Sequence, residues 1–207
     1  MTAPPIRSAT RADVDLVAAL IGDAFHDLPA AGWLVPDPQQ RAAILAANVA
    51  ILVEHALSYG QVHTVHDGGS VAGAAVWLDY TRDIPPPPNY DTRLAAACRR
   101  WTDRFRHLDT LFDTHHPARA HHHLAFLAVR PSRQRRRIGT ALLHHHHAML
   151  DRYHIGGYLE ASSPASRDLY LRHGYHLHAD PFDLPSGAQF WPMWRPPAPT
   201  PAEDVRR

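Results

Sequence analysis

A basic loop that follows an apolar segment offers the clearest chemistry in this sequence. The segment Leu124–Val129 is short and apolar and is bounded by Pro131, which predicts a buried strand. The chain then reads Gln134-Arg-Arg-Arg-Ile-Gly139, and apolar residues recur at helical spacing, so a helix is predicted to begin near residues 135–137. A helix start exposes free N–H groups and the positive end of the helix dipole, to which these arginines add charge. The loop therefore predicts a site for a phosphate or diphosphate, with Gly139 allowing a ligand close to the backbone.

A second pattern lies about twenty residues further on. Gly157–Glu160 predicts the next strand, Pro164 suits the first turn of a helix, and Gly174 suits its end. Tyr170 lies within that helix, four residues before the glycine. The order strand, loop, helix, strand, helix predicts an α/β arrangement around the phosphate site.

The two segments resemble motifs A and B of the GCN5-related N-acetyltransferases (the GNAT family). Gln134 and Gly139 match the first motif, and Tyr170 matches the second. Arg137 stands where the family usually has a glycine, and Ser163 stands where many members have asparagine. Each departure concerns a position that the resemblance would assign to coenzyme binding.

Within the family, the sequence is similar to puromycin N-acetyltransferase and related antibiotic-modifying enzymes. Shared segments include Val35-Pro-Asp37, Pro185-Ser-Gly187 and the Trp191-Pro-Met-Trp194 end. Leu28 stands where the puromycin-type enzymes have tyrosine, so the resemblance implies amine acetylation without identifying the amine.

The resemblance implies the fold and the reaction. It implies an α/β (α+β) GNAT fold with a central mixed, mostly antiparallel, twisted sheet of six to seven strands flanked by helices. The co-substrate would be acetyl-coenzyme A, and the acceptor would be a primary amine of a small molecule, antibiotic-like or amino-acid-like. Two other functions stay open: a non-catalytic acetyl-coenzyme A-binding regulatory module, and acetylation of a protein or peptide amine.

Site residues follow from the same resemblance. The coenzyme-binding residues would be Leu127, Ala128, Val129, Gln134, Arg135, Arg136, Arg137, Ile138, Gly139, Thr140 and Ser163. An irregular strand would let N–H groups near residues 127–129 meet the thioester carbonyl. Tyr170 would be the general acid for the departing sulfur.

The general base and the acceptor pocket are less sharply defined. Either His121, at the start of the central strand, or Glu160 could take the proton of the amine, and a water chain is a third option. Alternation along the strand places His121 and His123 on one face. The residues expected to contact the acceptor are Leu28, Trp33, Trp77 and Tyr80.

Composition excludes several classes of protein. The formal net charge is only +1, which argues against a general nucleic-acid-binding surface. All 21 basic residues are arginine, which is typical of GC-rich coding sequences. Cys98 is the single cysteine and suits a reducing cytoplasm, and neither a signal peptide nor a membrane-spanning run is expected. The histidines of 144–147 lack the partners of a metal site, so no metal is expected. The chain is expected to act as a monomer or homodimer.

Further elements are predicted around the two motifs. One domain is expected over residues 1–196, with a disordered tail over 197–207. Thr10 and Asp13 predict a helix cap, and a long helix is predicted over 91–112. Pro85–Pro88 is either a stiff linker or a wall of the substrate groove. The other predicted elements are strands at 6–9, 61–66, 71–79, 176–180 and 189–195 and a helix over 39–57.

Overall fold

An open sheet of eight strands runs through the molecule, which is described by a computed structural model over residues 5–199. The strand order is β1-β2-β3-β4-β5-β8-β6, and β7 pairs with β8. Every pairing is antiparallel except that of β4 with β5. The strands are β1 Ile6–Ser8, β2 Gly60–Asp67, β3 Ser70–Asp79, β4 His121–Val129, β5 Gly156–Ala161, β6 His176–Leu177, β7 Phe182–Asp183 and β8 Gln189–Arg195.

Within residues 5–199, seven α-helices flank the sheet. They are α1 Val14–Phe25, α2 Pro29–Leu34, α3 Pro38–Tyr59, α4 Tyr90–Cys98, α5 Thr102–His115, α6 Ile138–Arg152 and α7 Pro164–Leu171. We call the sheet face covered by α1 and α3 the front face, and the face covered by α6 and α7 the back face. This confirms the predicted fold class, although the two-residue strands β6 and β7 raise the strand count above the expected six to seven.

Strand β3 lies at the centre, and helix α6 approaches it closely. All residues from Val71 to Leu78 are buried, because helices cover both of its faces. A Cβ atom added to Gly73 would lie 2.6 Å from Ile138 Cγ2, closer than such atoms can approach. The glycine therefore lets the first turn of α6 rest directly on the sheet.

Local sequence explains several element ends. The Asp13 carboxylate accepts a hydrogen bond from the Thr10 N–H at 2.8 Å, as the predicted cap requires. Gly68 and Gly69 both have positive φ, as a tight hairpin turn between β2 and β3 demands. Asp37 caps α3 by accepting from the N–H of Gln39 at 3.0 Å.

Two regions differ from the sequence-based prediction. The proline-rich turn after α1 contains helix α2, since Pro29 occupies a first-turn position that needs no N–H donor. The helix predicted over 91–112 is broken into α4 and α5 at Arg99, whose φ of 51° is incompatible with a continuous helix. The periodicity of apolar residues continues across this break and does not reveal it.

Two other predictions concern the membrane and the chain ends. Within residues 5–199, α3 is long and apolar enough to cross a bilayer by length and composition, contrary to the sequence-based expectation, and its buried residues pack against α1 and the sheet. Of the tail expected to be disordered, residues 200–207 lie outside the described part of the chain, whereas the N–H of Ala198 donates to Asp151 at 2.8 Å. The single domain over 1–196 stays a prediction.

Candidate active site

The central strands β4 and β5 part from each other halfway along their length. They pair through His121 with Gly156, His122 with Gly157 and His123 with Tyr158, and no further. Beyond this point β4 stays paired only with β3, and β5 stays paired with β8. The result is a fork whose apex lies at His123 and whose open side is bordered by residues 124–129.

A bulge in β4 sets which backbone groups face the fork. The register with β3 shifts between Val76 and Trp77, leaving Ala125 as the extra residue, two positions before the expected irregularity. The Arg130 N–H donates to Ala72 O at 2.9 Å, so this amide points toward β3. Strand alternation then turns the N–H groups of Leu127 and Val129 toward the open side, whereas that of Ala128 points to β3.

The loop after β4 presents a run of free amides. Within the described residues, the N–H groups of residues 135–140 donate to no acceptor, and the first bond of α6 runs from Ala141 N–H to Arg137 O at 2.9 Å. Arg135 and Arg137 both have φ of 61°, a left-handed conformation that curls the backbone. Alternating conformations of this kind form concave anion-binding nests. The arginine at the usual glycine position thus adopts the glycine-like conformation.

The side chains of this loop divide between solvent and core. Arg135, Arg136 and Arg137 are exposed, and no salt bridge to them occurs among residues 5–199. Ile138 is buried against β3, so only its backbone can serve a ligand. Gln134 Nε2 donates to Val129 O at 3.3 Å, beside the fork.

Gly139 and Thr140 complete the loop. A Cβ atom added to Gly139 would lie 3.7 Å from Val129 Cγ2, which is ordinary contact, so the fold itself does not require glycine there. The Thr140 hydroxyl lies 3.4 Å from His173 Nε2. The free amides, the exposed guanidinium groups and the open space at Gly139 fit the diphosphate of a coenzyme.

A histidine–carboxylate pair closes the apex of the fork. His123 Nε2 lies 2.8 Å from Glu160 Oε2, and both residues line the cavity described below. Burial opposes ionisation of Glu160, but the charge of His123 and its hydrogen bond outweigh that effect and lower the pKa of Glu160 below its usual value. The carboxylate is therefore ionised at neutral pH and can orient and stabilise the imidazole.

His121 occupies a different environment from the one expected for a base. Its side chain is fully buried, Nδ1 lies 2.6 Å from Arg119 O, and its ring stacks on Tyr80. Burial lowers the pKa of His121 to about 4. His121 is absent from the described cavity lining, whereas His123, two residues on, is part of it. Sequence alternation had placed these histidines on one face, and the register between β4 and β5 decides which one meets Glu160.

Tyr170 reaches the fork from α7. Its side chain is mostly buried, lines the cavity, and forms no hydrogen bond to any described residue. Burial raises the pKa of Tyr170, so the phenol keeps its proton at neutral pH. Ser163 lies nearby as the N-cap of α7, where its hydroxyl accepts from Ser166 N–H at 3.1 Å.

A single cavity of about 760 Å³ joins the fork to an apolar chamber on the front face. The chamber is walled by α1, α2, α3, α5 and the segment Ile84–Pro87, so the proline segment is a wall of the cavity. Leu28 and Tyr80, which the sequence predicts to contact the acceptor, both line it. His116, which sequence reasoning missed, also lines it, with its ring 4.4 Å from that of Tyr80.

The two predicted tryptophans lie elsewhere, which corrects the sequence-based prediction. Trp77 is fully buried on the back face, where it stacks on His146 with ring centroids 3.9 Å apart. Strand alternation from Val76, which faces front, sends the Trp77 side chain backward. Trp33 packs against His107 and Arg104 and is not among the described residues that line the cavity. Among residues 5–199 no group of histidine, cysteine or carboxylate side chains is suited to a metal ion.

Comparison with known proteins agrees with this geometry. The family model for an acetyltransferase (GNAT) domain matches residues 103–177, which include the fork, the loop and α7. A structure described as histone acetyltransferase HPA2 and related acetyltransferase from Corynebacterium glutamicum is 27% identical, with a TM-score of 0.69 over 97% of this chain and 99% of that one.

More distant structures share the fold. The ribosomal-protein-S18-alanine N-acetyltransferase of Escherichia coli is 18% identical with a TM-score of 0.54, covering 98% of this chain and 99% of that chain. A mosquito arylalkylamine N-acetyltransferase-like protein, 5b, is 13% identical with a TM-score of 0.60, covering 94% and 98%. These two structures show the shared fold, and the family model supports a GNAT acetyltransferase domain over residues 103–177.

Proposed function

We propose that this protein transfers the acetyl group of acetyl-coenzyme A to a primary amine of a small molecule. One observation carries the proposal: a single cavity connects the open edge of β4 and Gln134, at the start of the loop, with the His123–Glu160 pair, Tyr170 and an apolar chamber. The donor and the acceptor can therefore approach the same point from opposite sides.

The coenzyme would occupy the loop and the open edge of β4. The amides of residues 135–140 and the exposed arginines would bind the diphosphate, and the outward N–H groups of Leu127 and Val129 would bind the chain that follows it. When bound, the coenzyme supplies a thioester, which an amine can attack. An outward amide of β4 would also stabilise the negative charge that develops on the carbonyl oxygen.

His123 is the proposed general base. Its ring borders the cavity, and the Glu160 carboxylate holds Nε2, which leaves Nδ1 to accept a proton from the ammonium group directly or through water. Glu160 acts as the positioning residue, since its low pKa makes it a weak proton acceptor. His121, the base suggested by sequence, is enclosed by aromatic rings.

Tyr170 is the proposed general acid. Its phenol is protonated at neutral pH and free of protein partners within the described chain, so it can donate to the thiolate that leaves. Ser163 would serve mainly to start α7, the helix that carries this tyrosine.

The acceptor would be a compact molecule with an apolar body, because the chamber has walls on several sides and is lined by aliphatic and aromatic side chains. An antibiotic-like or amino-acid-like amine meets this description, and the likeness to puromycin-type enzymes stays a proposal. Action in the cytoplasm, as a monomer or homodimer, is likewise proposed.

A first experiment follows free thiol release during incubation with acetyl-coenzyme A and a panel of amines. Thiol release that depends on the amine, together with an acetylated product by mass spectrometry, is the expected result. Binding of acetyl-coenzyme A without turnover of any amine would instead favour the non-catalytic binding module.

A second experiment tests the coenzyme loop by calorimetry. Gly139→Ala is expected to weaken binding of acetyl-coenzyme A at least tenfold, because its methyl group occupies the space left for the ligand without disturbing the fold. Gly32→Ala is the matched control: it also lies in a helix with only ordinary contacts, the nearest at 3.8 Å, and is remote from the loop. Equal affinities for the two variants would contradict the proposed position of the diphosphate.

A further inference from the structure

The permanently charged side chains that line the cavity are all negative. Three carboxylates face it, those of Asp109, Asp113 and Glu160, and the described lining contains no arginine. Every one of the 21 basic residues of the chain is arginine, so the acceptor chamber has no permanent cation among its described walls. Asp109 is half-buried and has no salt-bridge partner among the described residues, and a bound cation would offset the cost of that burial.

Glu160 supplies independent evidence that the cavity is built for a positive ligand. Its side chain is only 4% exposed, and while Oε2 bonds to His123, the buried Oε1 has no hydrogen-bond partner among the described residues. An unpaired buried carboxylate oxygen is rare in folded proteins. The ammonium group of the amine to be acetylated would complete this pair.

A second anionic position lies on α5. Asp109 Oδ2 accepts a hydrogen bond from Tyr90 Oη at 2.8 Å, and no salt bridge to Asp109 occurs within the described chain. Burial raises the pKa of Asp109 to about 6. The charges of Asp113 and Asp91 add to this rise, whereas the hydrogen bond from Tyr90 opposes it. A carboxylate held in this way is stabilised as an anion when a cation arrives.

The carboxylates follow one another along the chamber. The C-terminal end of α5 contacts β5, where the Tyr158 hydroxyl donates to His115 O at 3.2 Å. Asp113 lies near that end, and Asp109 lies one helical turn further from the fork on the same side of the helix. The charges therefore run in the order Glu160, Asp113, Asp109 from the reaction centre into the chamber.

Apolar surface separates the two ends of this row. Phe112 and Leu108 flank the aspartates on α5, and Ile84 and Phe25 line other parts of the wall. A ligand that reaches Asp109 must therefore place an apolar segment between its charged ends.

We infer that the acceptor is a dication: a primary amine that reacts at His123 and Glu160 and is joined by an apolar spacer to a second cationic nitrogen bound by Asp109. This inference rests on the proposed acetyl transfer and adds the class of acceptor. Asp109 is then a specificity-determining residue, since it does not contact the reacting atoms.

Three compounds of equal length isolate the second charge. The initial rate of thiol release is measured with 1,8-diaminooctane, 1-aminooctane and 8-aminooctanoate, which carry a terminal positive, neutral and negative group. The diamine is expected to have a kcat/KM more than about tenfold above that of the monoamine, beyond the twofold given by its second reactive end, and the amino acid is expected to be the poorest substrate. Diamines of six and ten carbons, each with its monoamine, locate the best spacing.

Asp109→Asn tests the residue directly, because asparagine can still accept the Tyr90 hydrogen bond. The preference for the diamine over the monoamine should fall at least tenfold in this variant. The matched control is Asp103→Asn on α5, an exposed carboxylate that pairs with Arg106 at 3.3 Å, and it should keep the full preference. Circular dichroism melts establish that both variants are folded.

The experiments distinguish a wrong acceptor class from a wrong reaction. Acetylation of monoamines and diamines with equal kcat/KM at every length, or a preference unchanged in Asp109→Asn, would overturn the dication while leaving acetyl transfer intact. Failure of every amine to release thiol, with acetyl-coenzyme A bound in calorimetry, would overturn the proposed function and the inference together.

Discussion

The consecutive histidines of β4 lie in different environments on the two faces of the sheet. His123 turns to the front face, where it borders the cavity and bonds to the ionised Glu160. His122 turns to the back face, where Nδ1 lies 3.0 Å from His146 Nε2. His146 in turn lies 3.1 Å from His63 Nε2, and His122 Nε2 lies 3.2 Å from Asp79. These residues form a hydrogen-bonded chain beneath α6.

The difference shows that access and partners, more than residue type, decide what a histidine can do. Burial lowers the pKa of His63 to about 4 and lowers that of His146 further, so both are neutral and structural. His123 has a carboxylate partner and an open side, which a proton acceptor needs. Among these histidines, proton transfer is therefore assigned to the one on the front face, and those on the back face contribute by packing.

Replacing one histidine on each face tests this contrast most strongly. His123→Asn should lower kcat by about a hundred- to a thousandfold, as expected for loss of a general base. His122→Asn should leave kcat within about threefold and instead lower the melting temperature, because it breaks the back-face chain. Steady-state rates and thermal melts measure both effects. Similar kcat values for the two variants would contradict a catalytic role for His123 alone.

A pair of tyrosines gives the next largest effect. Tyr170→Phe should lower kcat roughly ten- to a thousandfold with little change in coenzyme affinity, since it removes one general acid. Tyr175→Phe removes the back-face phenol that lies 3.1 Å from His147 Nε2 and should affect stability instead. Turnover at the wild-type level in Tyr170→Phe would remove this residue from the mechanism.

Acid should lower the free energy of unfolding through protonation of the back-face residue His63. His63 is buried and neutral with a pKa of about 4, while an unfolded histidine titrates near 6.5, so the unfolded state binds more protons as the pH falls between these values. Its contribution to stability is complete above pH 6.5, and about 2 kcal/mol is lost by pH 5 for a shift of this size. Urea titrations of wild type and His63→Gln at pH 7 and pH 5 measure the slope, which should be shallower in the variant. Equal slopes would show that the environment of His63, which includes His145 and His146, does not suppress its protonation.

The smallest effect concerns the loop that carries the chain from β4 to the back-face helix α6. Arg137→Gly should stabilise the fold by about 1 kcal/mol, because glycine adopts a positive φ without the steric cost that arginine bears. Arg136→Gly is the control, as Arg136 does not have positive φ and gains nothing in return for added chain entropy. Chemical denaturation compares them, and a destabilised Arg137→Gly would mean that its side chain contributes more than its backbone costs.

The sequence predicts the elements of the site well and their mutual contacts poorly. Gln134, Gly139 and Tyr170 are recognisable because the loop and helix that hold them are set by local spacing. The pairing of His123 with Glu160 depends on the register of two strands separated by α6, and the position of Trp77 depends on which face each strand presents. The break at Arg99 and the helix at Pro29 were missed because apolar periodicity responds weakly to a single backbone angle or a six-residue helix.

The absent side chain at Gly73 has a consequence for catalysis at a distance. It sets how low the first turn of α6 rests on β3, and the amides of that turn are those proposed to hold the coenzyme. A methyl group at this position would lift the helix and carry the anchored donor away from the imidazole, although residue 73 touches neither. Displacements of about 1 Å can lower a rate a hundredfold. The alignment of the two reactants at the fork therefore depends on the missing side chain of Gly73, on the back face of the sheet.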